Sequence, residues 1–209
     1  MEEREKEIVK IYLKNSGLPK RLMQNSSLYP TVKADVEAFD RLDDYTKHSS
    51  EFVNLGDNLL IYGSVCNGKS TWASKFLKSY IINYACKYAY PEGTPALFIN
   101  VPQFLARKKT SISDDSLKEE LNRIERCLYK ASLVVFDDIA TNSDMSNYDL
   151  ESLYAYIDYR TSQMKSSIYT TNVPLDRLEQ IIGPKLFSRV SGYSHKVEIT
   201  GPDMRGEIV

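Results

Sequence analysis

The chain has 209 residues, 42% hydrophobic and 26% charged, with a formal net charge of −1. That length suits one ordinary domain with a sizeable core, and the charge balance excludes a uniformly basic nucleic-acid coat while leaving room for a local basic patch. Three widely spaced cysteines (Cys66, Cys86, Cys127) and two histidines give neither a disulfide framework nor a zinc site and fit a reducing cytoplasm. The opening "MEEREKEIVK" is charged where a signal peptide would be apolar, and no run approaches membrane-spanning length, so a cytoplasmic location is expected.

In chain order, "EEREKEIVKIYLK" reads as an amphipathic helix broken by "NSGLPKR", and the looser region up to Gly56 contains the helical pattern "VKADVEAFDRLDDY". The period then changes. Five short segments read as buried strands: 58–62, 96–101, 133–137, 167–171 and 195–199. Helical stretches separate them: "STWASKFLKSYIINYACKYA", "SDDSLKEELNRIERCLYKA" and "NYDLESLYAYIDYRTSQ", the last with Leu150, Leu153, Tyr154 and Ile157 on one face. Strands alternating with helices imply a parallel sheet with right-handed crossovers, an α/β layered domain.

The first strand runs into "GSVCNGKS" (63–70), a complete G-x-x-x-x-G-K-[ST] phosphate loop. Gly63 permits the turn out of the strand and Gly68 lets the backbone approach a phosphate closely. Backbone amides of Ser64, Val65, Cys66, Asn67, Lys69, Ser70 and Thr71, at a helix N-terminus, are expected to form the anion cradle of ATP. Lys69 would reach the outer phosphates, and the Ser70 hydroxyl would ligate Mg²⁺. A chance match in a chain of this length is on the order of one in a hundred.

The third strand ends in "LVVFDDIA" and delivers two carboxylates at the edge where ligands bind in such sheets. Asp137 is expected to hold Mg²⁺ through water, and Asp138 to orient or deprotonate an attacking water. The fourth strand ends in "YTTNVP", which carries Asn172 to the same edge. Further on, "GPKLFSRVSG" offers Arg189 as an arginine donated across a subunit boundary.

Taken together, these segments resemble an AAA+ ATPase of the DnaC/IstB-like group, which contains bacterial and phage replicative-helicase loaders. The residues that carry the likeness are "SGLPKRLMQNSSLYP", "YGSVCNGKSTWA", "VVFDDIA", "YIDYRTSQMKSSIYTTNVP", "LFSRV" and "ITGPDMR". The paired aspartates are similar to those of loaders, where most AAA+ proteins carry Asp-Glu. The resemblance implies a three-layer αβα P-loop core with a five-stranded parallel sheet over residues 57–209, preceded by an N-terminal helical segment or linker (1–56). It assigns Asn172 the sensor role and Arg189 the arginine finger, and leaves Arg205 without a role. Two departures stand out. Only 62 residues precede the phosphate loop, so a helicase contact would use the first helix or the ATPase surface. The chain also ends soon after the last strand, so no C-terminal helical lid is expected and a neighbouring subunit would complete the site.

Loaders of this group engage single-stranded DNA. Here "FLARKKTSIS" (104–113), taken as an exposed connection, presents Arg107, Lys108 and Lys109 to a phosphate backbone. The function expected is therefore an ATP-dependent replicative helicase loader that binds helicase, single-stranded DNA and other copies of itself. Three alternatives remain open: a transposition helper ATPase of the same group, a non-hydrolysing phage protein that occupies host helicase or loader, and a small-molecule P-loop kinase. The kinase is disfavoured because no arginine-rich lid is visible.

Overall fold

The computed structural model describes residues 3–24, 27–65, 67–88, 93–111, 114–140 and 145–201. Cys66 and Arg205 lie outside these residues. The five strands are β1 (Asn58–Gly63), β2 (Ala96–Asn100), β3 (Leu133–Asp137), β4 (Ser166–Thr171) and β5 (Ser194–Ile199), all parallel, in the order β2-β3-β4-β1-β5. Their cores alternate: Leu59 and Ile61 face one side, Leu60 the other, and both sides are dry. A parallel sheet needs this, because helices cover both of its faces.

One face carries α1 (Glu3–Asn15), α2 (Lys20–Met23), α3 (Val36–Lys47), α4 (Ser49–Leu55) and α5 (Lys69–Lys87). Ile8, Tyr12, Leu22, Phe39, Phe52, Phe76 and Ile81 form one continuous core with the strands, so the helices ahead of β1 share their packing with the sheet. The opposite face carries α6 (Val101–Thr110), α7 (Asp115–Lys130), α8 (Asn147–Ser162) and α9 (Leu175–Gly192), the last kinked at Gly183–Pro184. The expected three-layer αβα arrangement with five parallel strands is what the chain adopts. Among the described residues no helix follows β5, and none is long and apolar enough to cross a membrane.

The segment 104–113 differs from expectation. It is not a connection: its residues 104–110 belong to α6, which begins directly after β2, and the strand expected to run to Val101 stops at Asn100. The Asn100 side chain accepts from the Gln103 amide at 3.2 Å and Pro102 occupies the first turn, so the helix is capped from within the strand end.

β4 lies between β1 and β3, with Leu60 opposite Tyr169 on one side and Phe136 opposite Tyr169 on the other. The carboxyl ends of β1, β3 and β4 therefore meet around one crevice, where the connections diverge to opposite faces. Open α/β sheets bind ligands at such a point.

Candidate nucleotide site

β1 ends at Gly63, with φ 129°, a backbone state that side chains disfavour; a Cβ there would also strike the Ile199 carbonyl. The loop then rises to Gly68 (φ 93°), which caps α5 and contributes no side-chain bond to the first turn. The amides of that turn are thus left for an anion, with the helix dipole behind them.

Lys69 is 4% exposed. Its Nζ donates to the Gly63 carbonyl at 3.1 Å, to the Ser64 carbonyl, and to Asn67 Oδ1 at 3.0 Å. The ammonium is therefore folded back onto its own loop. Burial pulls its pKa down to about 8, against the opposing pull of Asp138 and Asp137. Asn67 reaches the other way, donating to the Ile199 carbonyl at 2.5 Å, while the Ser64 hydroxyl donates to the Gly201 carbonyl at 2.9 Å. The loop is tied to the residues just beyond β5.

Asp137, 3% exposed, closes β3. Thr170 Oγ1 donates to its Oδ1 at 2.8 Å, and the Ser70 hydroxyl lies within hydrogen-bond reach of the same carboxylate. Burial raises its pKa, with the neighbouring Asp138 charge acting in the same direction and the hydrogen bonds opposing. Asp138 follows with φ 61° and Ala140 with φ 64°, two non-glycine residues in the left-handed region within one turn. Such backbone persists only where the surroundings hold it, and it concentrates at functional sites. Here the Asp138 amide donates to Thr170 Oγ1 at 2.9 Å and the Ile139 amide to the Thr170 carbonyl at 2.8 Å. The Asp138 carboxylate in turn accepts from Asn172 Nδ2 at 3.1 Å and Asn100 Nδ2 at 3.3 Å.

The structure thus brings Lys69, Ser70, Asp137, Asp138 and Asn172 into one crevice. Sequence reasoning missed Asn100 and Thr170, and it named Asn67 for its amide alone, not for the side chain that bridges Lys69 and the Ile199 carbonyl. Asn100 could have been found by aligning the polar ends of "FIN", "FDD" and "TTN", which finish at the same edge.

Arg189 does not join them. It sits at the C-terminal end of α9, where Nε donates to Asp158 Oδ1 at 2.8 Å, and it lines a cavity of about 510 Å³ with Leu55, Asn58, Met164 and Tyr193. Asn58 opens β1 and Gly63 closes it. At about 3.3 Å per residue, Arg189 lies on the order of 15–20 Å from its own phosphate loop. Nor are Arg107, Lys108 and Lys109 a free basic turn. From α6, Arg107 meets Glu120, Lys108 meets Glu125 and the Tyr156 hydroxyl, and Lys109 meets Asp149 at 2.6 Å. The sequence hid this because the acidic partners lie 13, 17 and 40 residues away.

The residues present fit a nucleoside triphosphate with a divalent cation. A loop kept open by two glycines, an ammonium held by loop oxygens, and a hydroxyl beside a buried carboxylate supply what the phosphates and the ion need. Among the described residues no cluster of three or more His, Cys, Asp or Glu could hold a metal by itself.

In strand order, phosphate loop and strand-end carboxylates the chain has the fold seen in P-loop proteins of the AAA+ type. No protein-family model matches the sequence. Within the class the chain resembles DnaC-like helicase loaders: it is 23% identical over 179 residues to "Replicative helicase loader DnaI" of Bacillus subtilis (strain 168), a match covering 80% of this chain and 53% of that protein. The chain therefore spans about half the length of this curated relative. The crystal structure of the DnaC helicase loader shares the fold with a TM-score of 0.65 at 20% identity, over 91% of this chain and 99% of that one. Replication initiator DnaA, solved bound to AMPPCP and single-stranded DNA, shares it with a TM-score of 0.60 at 17% identity, over 83% of this chain and 49% of that one.

Proposed function

We propose that the protein is an ATP-dependent replicative helicase loader. The observation that carries this reading is the conjunction of the phosphate loop and the Asp137–Asp138 pair in one crevice, on a chain whose curated relative is a helicase loader. Mg²⁺·ATP, when bound, supplies a polarised terminal phosphoryl group and the free energy of its transfer to water. The chain's own residues do the rest. The amides of residues 63–71 and the Lys69 ammonium hold the phosphates, for which Lys69 exchanges its loop carbonyls. Ser70 and Asp137, side by side, would hold the ion. Asp138, steadied by Asn100 and Asn172, orients the water and accepts its proton.

Arg189 serves a neighbouring copy. Its distance from its own loop supports a trans role, and its exposed apolar neighbours Leu55, Met164 and Tyr193 suit a contact between copies. Our reading assigns the single-stranded DNA contact to α6, where Arg107, Lys108 and Lys109 would exchange carboxylates for phosphates, so such a contact would be salt-sensitive. Co-purification with a bacterial replicative helicase, with and without ATP, followed by mass measurement of the complex, tests the reading. A stoichiometric complex whose stability depends on nucleotide is expected. Capture of a transposase with no helicase would transfer the ATPase to the transposition helpers.

A further inference from the structure

Asp35 is buried at 1% exposure, far in sequence from the crevice, and nothing above uses it. Among the described residues its carboxylate accepts three bonds, from neutral donors beyond β5: the Thr200 amide at 2.8 Å, the Thr200 hydroxyl at 2.7 Å and the Gly201 amide at 2.8 Å. A buried carboxylate is costly unless such donors surround it, so this arrangement fixes residues 200–201 tightly. Those residues are the ones that hold the phosphate loop. The Gly201 carbonyl accepts from Ser64, the Ile199 carbonyl accepts from Asn67, and Asn67 Oδ1 accepts from Lys69.

The segment leading to Asp35 touches the loop a second time. A Cβ on Gly68 would lie 3.2 Å from Leu28 Cδ2, and one on Gly201 would lie 2.7 Å from Thr31 Oγ1. The segment's other end is held by Lys78 of α5, whose Nζ donates to the Leu22 and Gln24 carbonyls at 3.1 Å each. Residues 22–24 and 27–35 therefore act as the two fastened parts of a strap. It is fastened at one end to the helix that the phosphate loop starts and at the other, through Asp35, to the backbone that the loop leans on.

We propose that Asp35 is a positioning residue for the nucleotide site, and that through it the N-terminal strap and the phosphate loop are thermodynamically coupled. This rests on the reading of residues 63–71 as a nucleotide site. If Asp35 sets residues 199–201, losing it frees the acceptors of Ser64 and Asn67, and the loop must order itself at the expense of binding. By reciprocity, a nucleotide that orders the loop also tightens the strap. A partner that grips the N-terminal helices would then change nucleotide affinity without touching the crevice.

The test combines nucleotide titration with amide hydrogen exchange on the full chain, using ADP and a non-hydrolysable ATP analogue with Mg²⁺. Asp35→Ala is expected to weaken both nucleotides about 5- to 50-fold. Asp35→Asn, which keeps one acceptor for Thr200, should fall between, and Thr200→Val should cost about 2- to 5-fold. In the wild type, nucleotide should slow exchange across residues 27–36; in Asp35→Asn that protection should vanish even at saturating nucleotide. A purely structural role would lower the melting temperature and leave this transmitted protection intact. Should the Asp35 variants fail to fold, exchange in the wild type and the Thr200→Val titration decide alone. Wild-type affinity in Asp35→Asn, or exchange at 27–36 indifferent to nucleotide, overturns the coupling. A wild-type chain that binds no nucleotide overturns instead the reading of the loop.

Discussion

The Asn172 amide donates to Asp138 Oδ1 across 3.1 Å, so a residue at the tip of β4 fixes the carboxylate that follows β3. With Asn100 on the other oxygen, Asp138 is aimed from both neighbouring strands. A general base needs both direction and charge, and neither amide neutralises it. Asp138→Asn is therefore expected to keep nucleotide affinity within about 3-fold while turnover falls about 100-fold or more. Asn172→Ala should lower turnover less, by about 10-fold, because Asn100 still holds the carboxylate. Steady-state hydrolysis alongside titration separates the two quantities, and wild-type turnover in Asp138→Asn would remove it from this role.

Affinity for nucleotide should depend on pH in one direction. Lys69 in the free protein has its pKa pulled down to about 8 by burial, and phosphate oxygens beside it would raise that value. Below about 8 the ammonium is already charged and affinity is flat. Above it, binding must take up a proton, so the dissociation constant rises by up to about tenfold per pH unit until the pKa of the complex is reached. Calorimetry in buffers of different ionisation enthalpy should show proton uptake at pH 8.5 and little at pH 6.5. Proton release would carry the wrong sign.

Arg189 and the phosphate loop occupy opposite ends of β1. If Arg189 acts on a neighbour, Arg189→Ala should lose about 100-fold or more in turnover. Mixing it with Lys69→Ala should restore part of the activity, since each variant supplies what the other lacks. Absence of rescue at every ratio, with mixed assemblies demonstrated by mass measurement, argues against a trans arginine.

Stability rests heavily on a residue with no catalytic part. Arg160 is 0% exposed, and its guanidinium donates to the carbonyls of Leu128, Ala131, Ser132 and Ser166 and to the Ser167 hydroxyl. It closes the C-terminal end of α7 onto the start of β4. Arg160→Met fills much of the space yet strands several buried carbonyls at about 1–3 kcal/mol each, so a loss above about 3 kcal/mol is expected in urea unfolding. A loss under about 1 kcal/mol would show that water replaces the guanidinium.

The strands, the loop and the paired aspartates were legible because each is a local pattern: a dry run of five or six residues, or a motif of eight. What stayed hidden is non-local. The helix α6 reads as a polar connection until Glu120, Glu125 and Asp149 are seen to neutralise its cations, and Asn100 caps it from a strand. Asp35 reads as one more acid in a charged helix, because its donors lie 165 and 166 residues away. Arg160 left a trace: it falls seven residues after Leu153 and three after Ile157, on the buried stripe of α8.

The central claim is that the amides and ammonium of residues 63–71 grip a nucleoside triphosphate. Titration of Mg²⁺·ATP into the wild-type chain and into Lys69→Ala measures it most directly. Saturable one-to-one binding to the wild type and none to the variant is the expected result. Equal affinity in the two proteins, or no heat in either, would contradict it.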